Sequence, residues 1–188
     1  MSENFMNEDV KTRLILSGLC ELFDHGVRDF SLRRAALAAG VSCAAPYRYF
    51  KSKEDYIAAI LSYLAAKWEL MSSEIASAHK DDAEVLIAAL AVANIKFWLS
   101  NKNLRSAMIM ASEEGSAVKP FVFDKRLCNE LSSYLTERSV PENEIKGRIN
   151  ALRALIVGYV SLIGSGELPN APITYKEIER QIKSFIIQ

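Results

Sequence analysis

Between Arg28 and Lys53 the chain concentrates side chains that can bind phosphate groups. This stretch holds six cationic residues and one carboxylate, in a protein whose formal net charge is zero. Its second half, VSCAAPYRYFKSK (residues 41–53), places three small side chains and a proline before two tyrosines and an arginine. Small side chains let a helix approach the edges of bases, while cations and hydroxyls bind the flanking phosphates. The pattern indicates contact with nucleic acid, and a merely solvated basic face is the alternative.

Some of these residue types suit contact with base edges, and others suit contact with phosphates. The small side chains are Cys43, Ala44 and Ala45, and the methyl groups of the two alanines suit contact with a thymine methyl. The guanidinium of Arg48 has the geometry for guanine or phosphate. Lys53 stands at the start of a predicted helix, where backbone N–H groups also attract a phosphate.

These residues lie in the first part of a chain that is predicted to be all-helical. Apolar residues recur three and four positions apart almost throughout, while glycine and proline are sparse. Ser31 and Ser42 are predicted N-caps, Gly26 and Gly40 predicted stops, and Ser52 with a later aspartate resembles a capping box. The predicted helices of this part span residues 8–25, 31–39, 43–49 and 53–78.

The remainder of the chain is predicted to form a larger helical body. Residues 85–99 are apolar on nearly every face, which predicts a central buried helix; Asn94 and Lys96 argue against a membrane span. Thr174 and Glu177 have the spacing of a capping box. A further helix is predicted over residues 104–112, followed by a break near Gly115 and Pro120 and by another helix that ends at about residue 137. The last two predicted helices span residues 141–165 and 174–187.

Two short helices joined by the turn at residues 40–42 have the form of a helix-turn-helix. The stretch FSLRRAALAAGVSCAAPYRYFKSKEDY (residues 30–56) resembles the tetracycline-repressor (TetR) family of bacterial transcriptional regulators. The resemblance implies an N-terminal DNA-binding domain over residues 1–52 and a C-terminal effector-binding and dimerisation domain over residues 53–188. It also implies a homodimer whose small-molecule effector weakens binding to a double-stranded DNA operator.

Carried over by position, the resemblance places Ser31 and Arg33 against a phosphate and a base edge. The chain departs from the family pattern at four positions: Ala35 stands where a large aliphatic residue is frequent, and Ala44, Ala45 and Pro46 stand where glycine, threonine and leucine are frequent. The operator sequence therefore does not transfer. The full predicted DNA-binding set is Ser31, Arg33, Arg34, Ser42, Cys43, Ala44, Ala45, Tyr47, Arg48, Tyr49 and Lys53.

The last two predicted helices carry apolar faces that either complete the core of one copy or pair with a second copy. A helix-turn-helix protein needs two copies to cover paired half-sites, which favours a four-helix dimer interface. The predicted interface residues are Leu152, Leu155, Ile156, Tyr159, Leu162, Ile163, Ile178, Ile182 and Phe185.

Aromatic and sulfur-containing residues of the second part are candidates for an effector pocket, although such residues at helical spacing more often form ordinary core. The effector is expected to be largely apolar, because the central helices offer few charges. The predicted pocket residues are Trp68, Asn94, Phe97, Trp98, Arg105, Met108, Met110, Phe121, Phe123 and Tyr159.

The sequence argues against catalysis and against cofactors. It contains no glycine-rich phosphate loop, no metal-ligand cluster and no nucleophile with a matched histidine, and its three cysteines form no C-x-x-C pair. The N-terminus lacks the apolar segment of a signal peptide, so a cytoplasmic protein without a membrane partner is expected. The predicted function is a dimeric transcriptional repressor; the alternative is a helical interaction adaptor that does not read DNA.

Overall fold

The computed structural model describes residues 2–101 and 125–187, and all regular structure in these two stretches is α-helical. The prediction of an all-helical protein is therefore confirmed. The predicted helix over residues 104–112 and the break near Gly115 and Pro120 lie outside the described residues. The described helices are α1 Ser2–His25, α2 Leu32–Ala38, α3 Pro46–Tyr49, α4 Lys53–Ala78, α5 Ala83–Ser100, α6 Lys125–Glu137, α7 Glu142–Gly164 and α8 Pro172–Ile187.

The described residues form two compact units. Residues 2–67, with Asn101, belong to the first unit, and residues 68–100 and 125–187 belong to the second. The helix α4 starts in the first unit and ends in the second. The predicted boundary between the DNA-binding and effector-binding domains, after residue 52, stays a prediction.

Local capping fixes the ends of α1 and α2. The Ser31 hydroxyl accepts the N–H of Arg34 at 3.3 Å, which confirms Ser31 as the N-cap of α2. Gly26 and Gly40 both adopt φ of 69°, as expected for helix stops. At the end of α2, the Gly40 and Val41 N–H groups donate to the Leu37 and Ala36 carbonyls, each at 3.0 Å. This pair of bonds is a Schellman motif, which sets the turn between α2 and α3.

The third helix is shorter than predicted, and Ser42 is not its N-cap. α3 begins at Pro46, with Ala45 as the capping position. A helix capped by Ser42 would need the N–H of residue 46 to donate to the Ser42 carbonyl, and proline has no N–H. The N–H of Ala45 donates to that carbonyl instead, at 2.9 Å, in a separate turn before α3.

An aromatic cluster forms the core beneath α3 and α4. Tyr56 is fully buried, and its ring stacks on that of Phe50 at a centroid distance of 4.2 Å. The rings of Phe30 and Tyr56 meet edge to face, with centroids 5.4 Å apart. The Tyr56 hydroxyl donates to the carbonyl of Leu14 on α1. The cluster thereby ties the first turn of α4 to α1 and to the end of α3.

In the second unit α5 is the central helix, as predicted, and packs against α6, α7 and α8. By length and composition α5 could cross a membrane, but much of its apolar surface lies in the core of this unit. The predicted cap at Thr174 is wrong: α8 begins at Pro172, a favoured first helical residue, and Thr174 is buried within its first turn. Glu177 instead accepts hydrogen bonds from Arg180 and Gln181.

Candidate nucleic-acid interface

The turn before α3 and the outer face of α3 present a continuous set of predicted contact residues to solvent. Tyr47 is 67% exposed, and the other members of this exposed set are Ser42, Cys43, Ala44 and Arg48. Pro46 and Phe50 are buried on the opposite side, which anchors the segment. The α3 segment therefore has an outer face of small side chains, hydroxyls and one guanidinium.

Two predicted contact residues of this segment are not on the outer face. Ala45 is buried, so its predicted place at the front of a reading helix is wrong. The reason is that the turn at residues 42–45 directs Ala45 inward together with Pro46. Tyr49 is half-buried, with its ring centroid 6.4 Å from that of Phe50, so only part of this side chain is accessible.

At the start of α4 the chain satisfies several of its own donors. The Ser52 hydroxyl accepts the N–H of Asp55 at 3.2 Å, and the Asp55 carboxylate accepts the N–H of Lys51 at 2.8 Å. Hydrogen bonds from the Ser52 hydroxyl and from the backbone N–H of Glu54 itself hold the pKa of Glu54 below its usual range. Lys53 donates from Nζ to the Arg28 carbonyl at 3.1 Å. A phosphate here would therefore rely on the lysine charges more than on free backbone N–H groups.

Along α2, the two adjacent arginines have different surroundings. Arg33 is exposed, whereas Arg34 forms an ion pair with Glu21 of α1. Sequence reasoning missed Glu21, although a signal was present: Leu14, Gly18 and Leu22 mark the buried face of α1, and Glu21 falls on that face. A carboxylate on an apolar helical face requires a partner.

Three of the predicted pocket residues lie together in the second unit. Trp68 is buried, with its ring centroid 5.2 Å from that of Phe97, whose neighbour Trp98 is half-buried. Asn94 is buried on α5. Tyr159 lies on α7, where its hydroxyl bonds to Gln181 of α8. The remaining candidates lie outside the described residues: Arg105, Met108, Met110, Phe121 and Phe123.

Most of the predicted dimer residues are instead part of the core of their own unit. The buried ones are Leu152, Ile156, Ile163, Ile178 and Ile182. Their prediction as partner-facing residues is wrong, because the apolar pattern of a helix does not distinguish the face that meets its own core from one that meets another chain. Tyr159 and Phe185 are partly buried at the edge of this core.

Leu155 and Leu162 are each 37% exposed, and they lie on one outer stripe of α7. The residues of this α7 stripe recur at helical spacing: Ala151, Ala154, Leu155, Gly158 and Leu162. A Cβ added at Gly158 would meet no atom within 4 Å. The stripe is therefore shallow, apolar and open.

The α2–turn–α3 geometry, with its exposed outer face, defines a helix-turn-helix protein of the DNA-binding type. Residues 15–60 match the family model of bacterial regulatory proteins, tetR family. The match covers the N-terminal segment, whose helix-turn-helix is therefore similar to that of TetR-family regulatory proteins.

Solved structures of similar fold extend over nearly the whole chain. A protein from Mesorhizobium loti assigned to the TetR family of transcriptional regulators is 16% identical, with a TM-score of 0.69 over 96% of this chain and 95% of that one. The fatty acid degradation regulator FadR from Bacillus halodurans is 15% identical, with a TM-score of 0.68 over 94% and 93%.

The regulator FadR from Bacillus subtilis, solved in complex with stearoyl-CoA, is 15% identical, with a TM-score of 0.65 over 94% and 97%. At these identities the likeness shows a shared fold. Among curated protein sequences, none matches this chain.

Proposed function

We propose that this protein is a dimeric transcriptional regulator that represses genes from a palindromic DNA operator and is released by a largely apolar small molecule. The observation that carries the proposal is the exposed set on and before α3, from Ser42 to Arg48, on a helix-turn-helix anchored by its buried side. The match of residues 15–60 to the model of tetR-family regulatory proteins supports the same function.

The exposed set on and before α3 combines small side chains, which allow close approach to DNA, with positive charge. Cys43 and Ala44 leave room for a base edge, and Arg48 can form a bidentate contact with guanine or with a phosphate. Tyr47 and Ser42 supply hydroxyls, which bind phosphate oxygens and set the position of the domain. Specificity in this scheme comes from Arg48 and the small residues, while affinity comes from the surrounding cations.

The second copy is proposed to pack on the α7 stripe. Alanine and glycine at three of its five positions allow two helices to approach closely, while Leu155 and Leu162 supply the apolar surface. A dimer with two-fold symmetry brings the same stripe together with itself, so the stripe must be self-complementary. A flat stripe of small side chains flanked by leucines meets that requirement.

The effector is proposed to bind beside Trp68, Phe97 and Trp98, where the side chains are aromatic and Asn94 can orient a polar end. The complex of Bacillus subtilis FadR with stearoyl-CoA gives a precedent for a long apolar chain in this fold. An effector can shift the regulator away from DNA only by its higher affinity for a state that does not bind DNA. No catalytic step is required.

The first test is selection of duplexes from a random-sequence DNA library at moderate salt. We expect an enriched inverted repeat with half-sites about one helical turn or a simple multiple apart. Arg48→Ala and Arg33→Ala should weaken binding to that repeat and reduce its salt dependence, because each removes a charge from the interface. Lys176→Ala, at an exposed position of α8, is the matched control and should change neither.

Failure to enrich any sequence, with folded protein stripped of bound ligand, would contradict DNA reading and favour the adaptor alternative. The effector is tested separately, by thermal-shift screening of fatty acids, small aromatics and highly charged metabolites. Stabilisation by apolar compounds is expected. Stabilisation by highly charged compounds alone would contradict the proposed pocket.

A further inference from the structure

A carboxylate and a guanidinium join α1 to the first turn of α2. Glu21 is 7% exposed, and its Oε1 accepts the Ser31 N–H at 3.0 Å and the Nε–H of Arg34 at 2.9 Å. Arg34 Nη2 donates to Glu21 as well, and also to the carbonyl of Asp29 in the α1–α2 loop. One buried carboxylate thus holds both the N-cap residue of α2 and an arginine of its first turn.

The carboxylate of Glu21 is charged in the folded protein. Burial by itself would raise the pKa of Glu21, but the hydrogen bonds from Arg34 and from the Ser31 N–H outweigh burial and leave the pKa lowered. His25 lies 3.7 Å from Oε2 and acts in the same direction. The positive charge of Arg34 is therefore compensated inside the protein, although the side chain is 50% exposed.

The neighbouring arginines differ from Arg34 in this respect. Within the part of the chain that the structure describes, the side chains of Arg33 and Arg48 form no ion pair. Their charges face solvent beside the exposed set of α3. Three arginines that look alike in the sequence thus fall into two kinds, two that are free to meet phosphates and one that is held.

We propose that Glu21 is a positioning residue for DNA recognition, which fixes the first turn of α2 for contact by Ser31 and Arg33 and keeps Arg34 away from the phosphates. This inference rests on the proposed function. Arg34 then contributes to the shape of the interface and not to its charge. Without the carboxylate, Arg34 would become a third free cation of α2 and α3, able to bind the phosphates of any sequence.

The experiment measures the salt dependence of binding to a short duplex of mixed sequence and to the duplex selected from the library. Each phosphate contact contributes about 0.9 to the slope of log K against log salt, so a dimer changes by roughly 1.8 when one arginine is gained or lost. The variants are Glu21→Gln, Arg34→Gln, the double variant and Arg33→Gln as the control. Circular dichroism and unfolding midpoints establish that each variant is folded.

We expect Arg33→Gln to reduce the slope and Arg34→Gln to leave it unchanged. Glu21→Gln should steepen the slope on the mixed-sequence duplex and lower the preference for the selected one, and the double variant should restore the original slope. An effect confined to stability would not steepen the slope.

An Arg34→Gln slope reduced as much as that of Arg33→Gln would overturn the inference, as would a Glu21→Gln variant that binds like the original protein. If Glu21→Gln does not fold, the comparison of Arg34→Gln with Arg33→Gln decides the point alone. Failure of the unsubstituted protein to bind either duplex would instead overturn the proposed function, and this inference with it.

Discussion

Gly18 of α1 leaves the space that the buried Tyr56 ring occupies, so replacement by alanine should strain the first unit. A Cβ at position 18 would lie 2.8 Å from Cζ and from Oη of Tyr56, and 2.9 Å from Cδ1 of Ile60. Non-bonded carbons rest about 3.5–4.0 Å apart, so something must move by roughly 0.7 Å or more. The ring cannot move freely, because Phe50 stacks on it and the Leu14 carbonyl accepts its hydroxyl.

The expected magnitude follows from two opposing effects. Overpacking a core typically costs about 1–3 kcal/mol. Alanine in place of glycine within a helix gains about 1 kcal/mol. Because the Tyr56 ring is held by Phe50 and by the Leu14 carbonyl, we expect an overpacking cost in the upper part of its range, about 2–3 kcal/mol, so Gly18→Ala should lower the free energy of unfolding by about 1–2 kcal/mol.

Gly147→Ala in α7 is the matched control, because no atom lies within 4 Å of its Cβ position. The control should raise the free energy of unfolding by about 0.5–1 kcal/mol, since only the helix preference changes. Both variants make the same chemical change within a helix, so opposite signs isolate the contact with Tyr56.

The assay is urea unfolding followed by far-ultraviolet circular dichroism. Relative to the unsubstituted protein, the midpoint of Gly18→Ala should fall by roughly 0.5–1 M with an unchanged slope, and the midpoint of Gly147→Ala should rise. A Gly18→Ala midpoint equal to or above the original would refute the reasoning, because it would mean that the Tyr56 ring does not press against α1.

Three further predictions concern the interface, a helix cap and alkaline pH. Leu155→Glu with Leu162→Glu should convert a dimer into a folded monomer in sedimentation analysis, whereas Ile173→Glu, at an exposed isoleucine of α8, should not; a double variant that stays dimeric would exclude the α7 stripe. Ser52→Ala removes the cap of α4 and should lower the free energy of unfolding by about 1 kcal/mol, an effect absent from Ser62→Ala, whose hydroxyl only donates to a carbonyl of its own helix. Burial raises the pKa of Tyr56 from 10.0 to about 12, so the stability that this group contributes is complete below pH 10 and is lost as the pH rises through about 12. The loss is at most about 3 kcal/mol. Urea unfolding at rising pH should show a smaller alkaline loss for Tyr56→Phe, and an equal loss would contradict the assignment.

Features set by neighbouring residues were predictable from the sequence. Ser31 as a cap, Gly40 with positive φ and the start of α4 after Ser52 each depend on backbone groups within a few positions. The errors at Ser42 and Thr174 have the same local origin, since a nearby proline sets the first helical residue and takes precedence over a polar cap.

Features set by tertiary contacts could not be predicted in the same way. The apolar pattern of α7 correctly indicated burial, but only the fold separates Leu152 and Ile156, which face the core, from Leu155, which faces outward. Likewise, counting charges between residues 28 and 53 included Arg34, because its partner Glu21 lies outside that window. Charge along a sequence is therefore a poor measure of the charge that a surface presents.

The ion pair between Glu21 and Arg34 also constrains how this sequence can diverge. Loss of the arginine alone leaves a buried carboxylate with one of its main partners missing, and loss of the carboxylate alone leaves an unneeded cation beside a reading surface. Each single step is disadvantageous, while the joint replacement by two uncharged residues is not. Among descendants of this protein, positions 21 and 34 should therefore change together or not at all, while the residue at position 33 should change with the operator sequence.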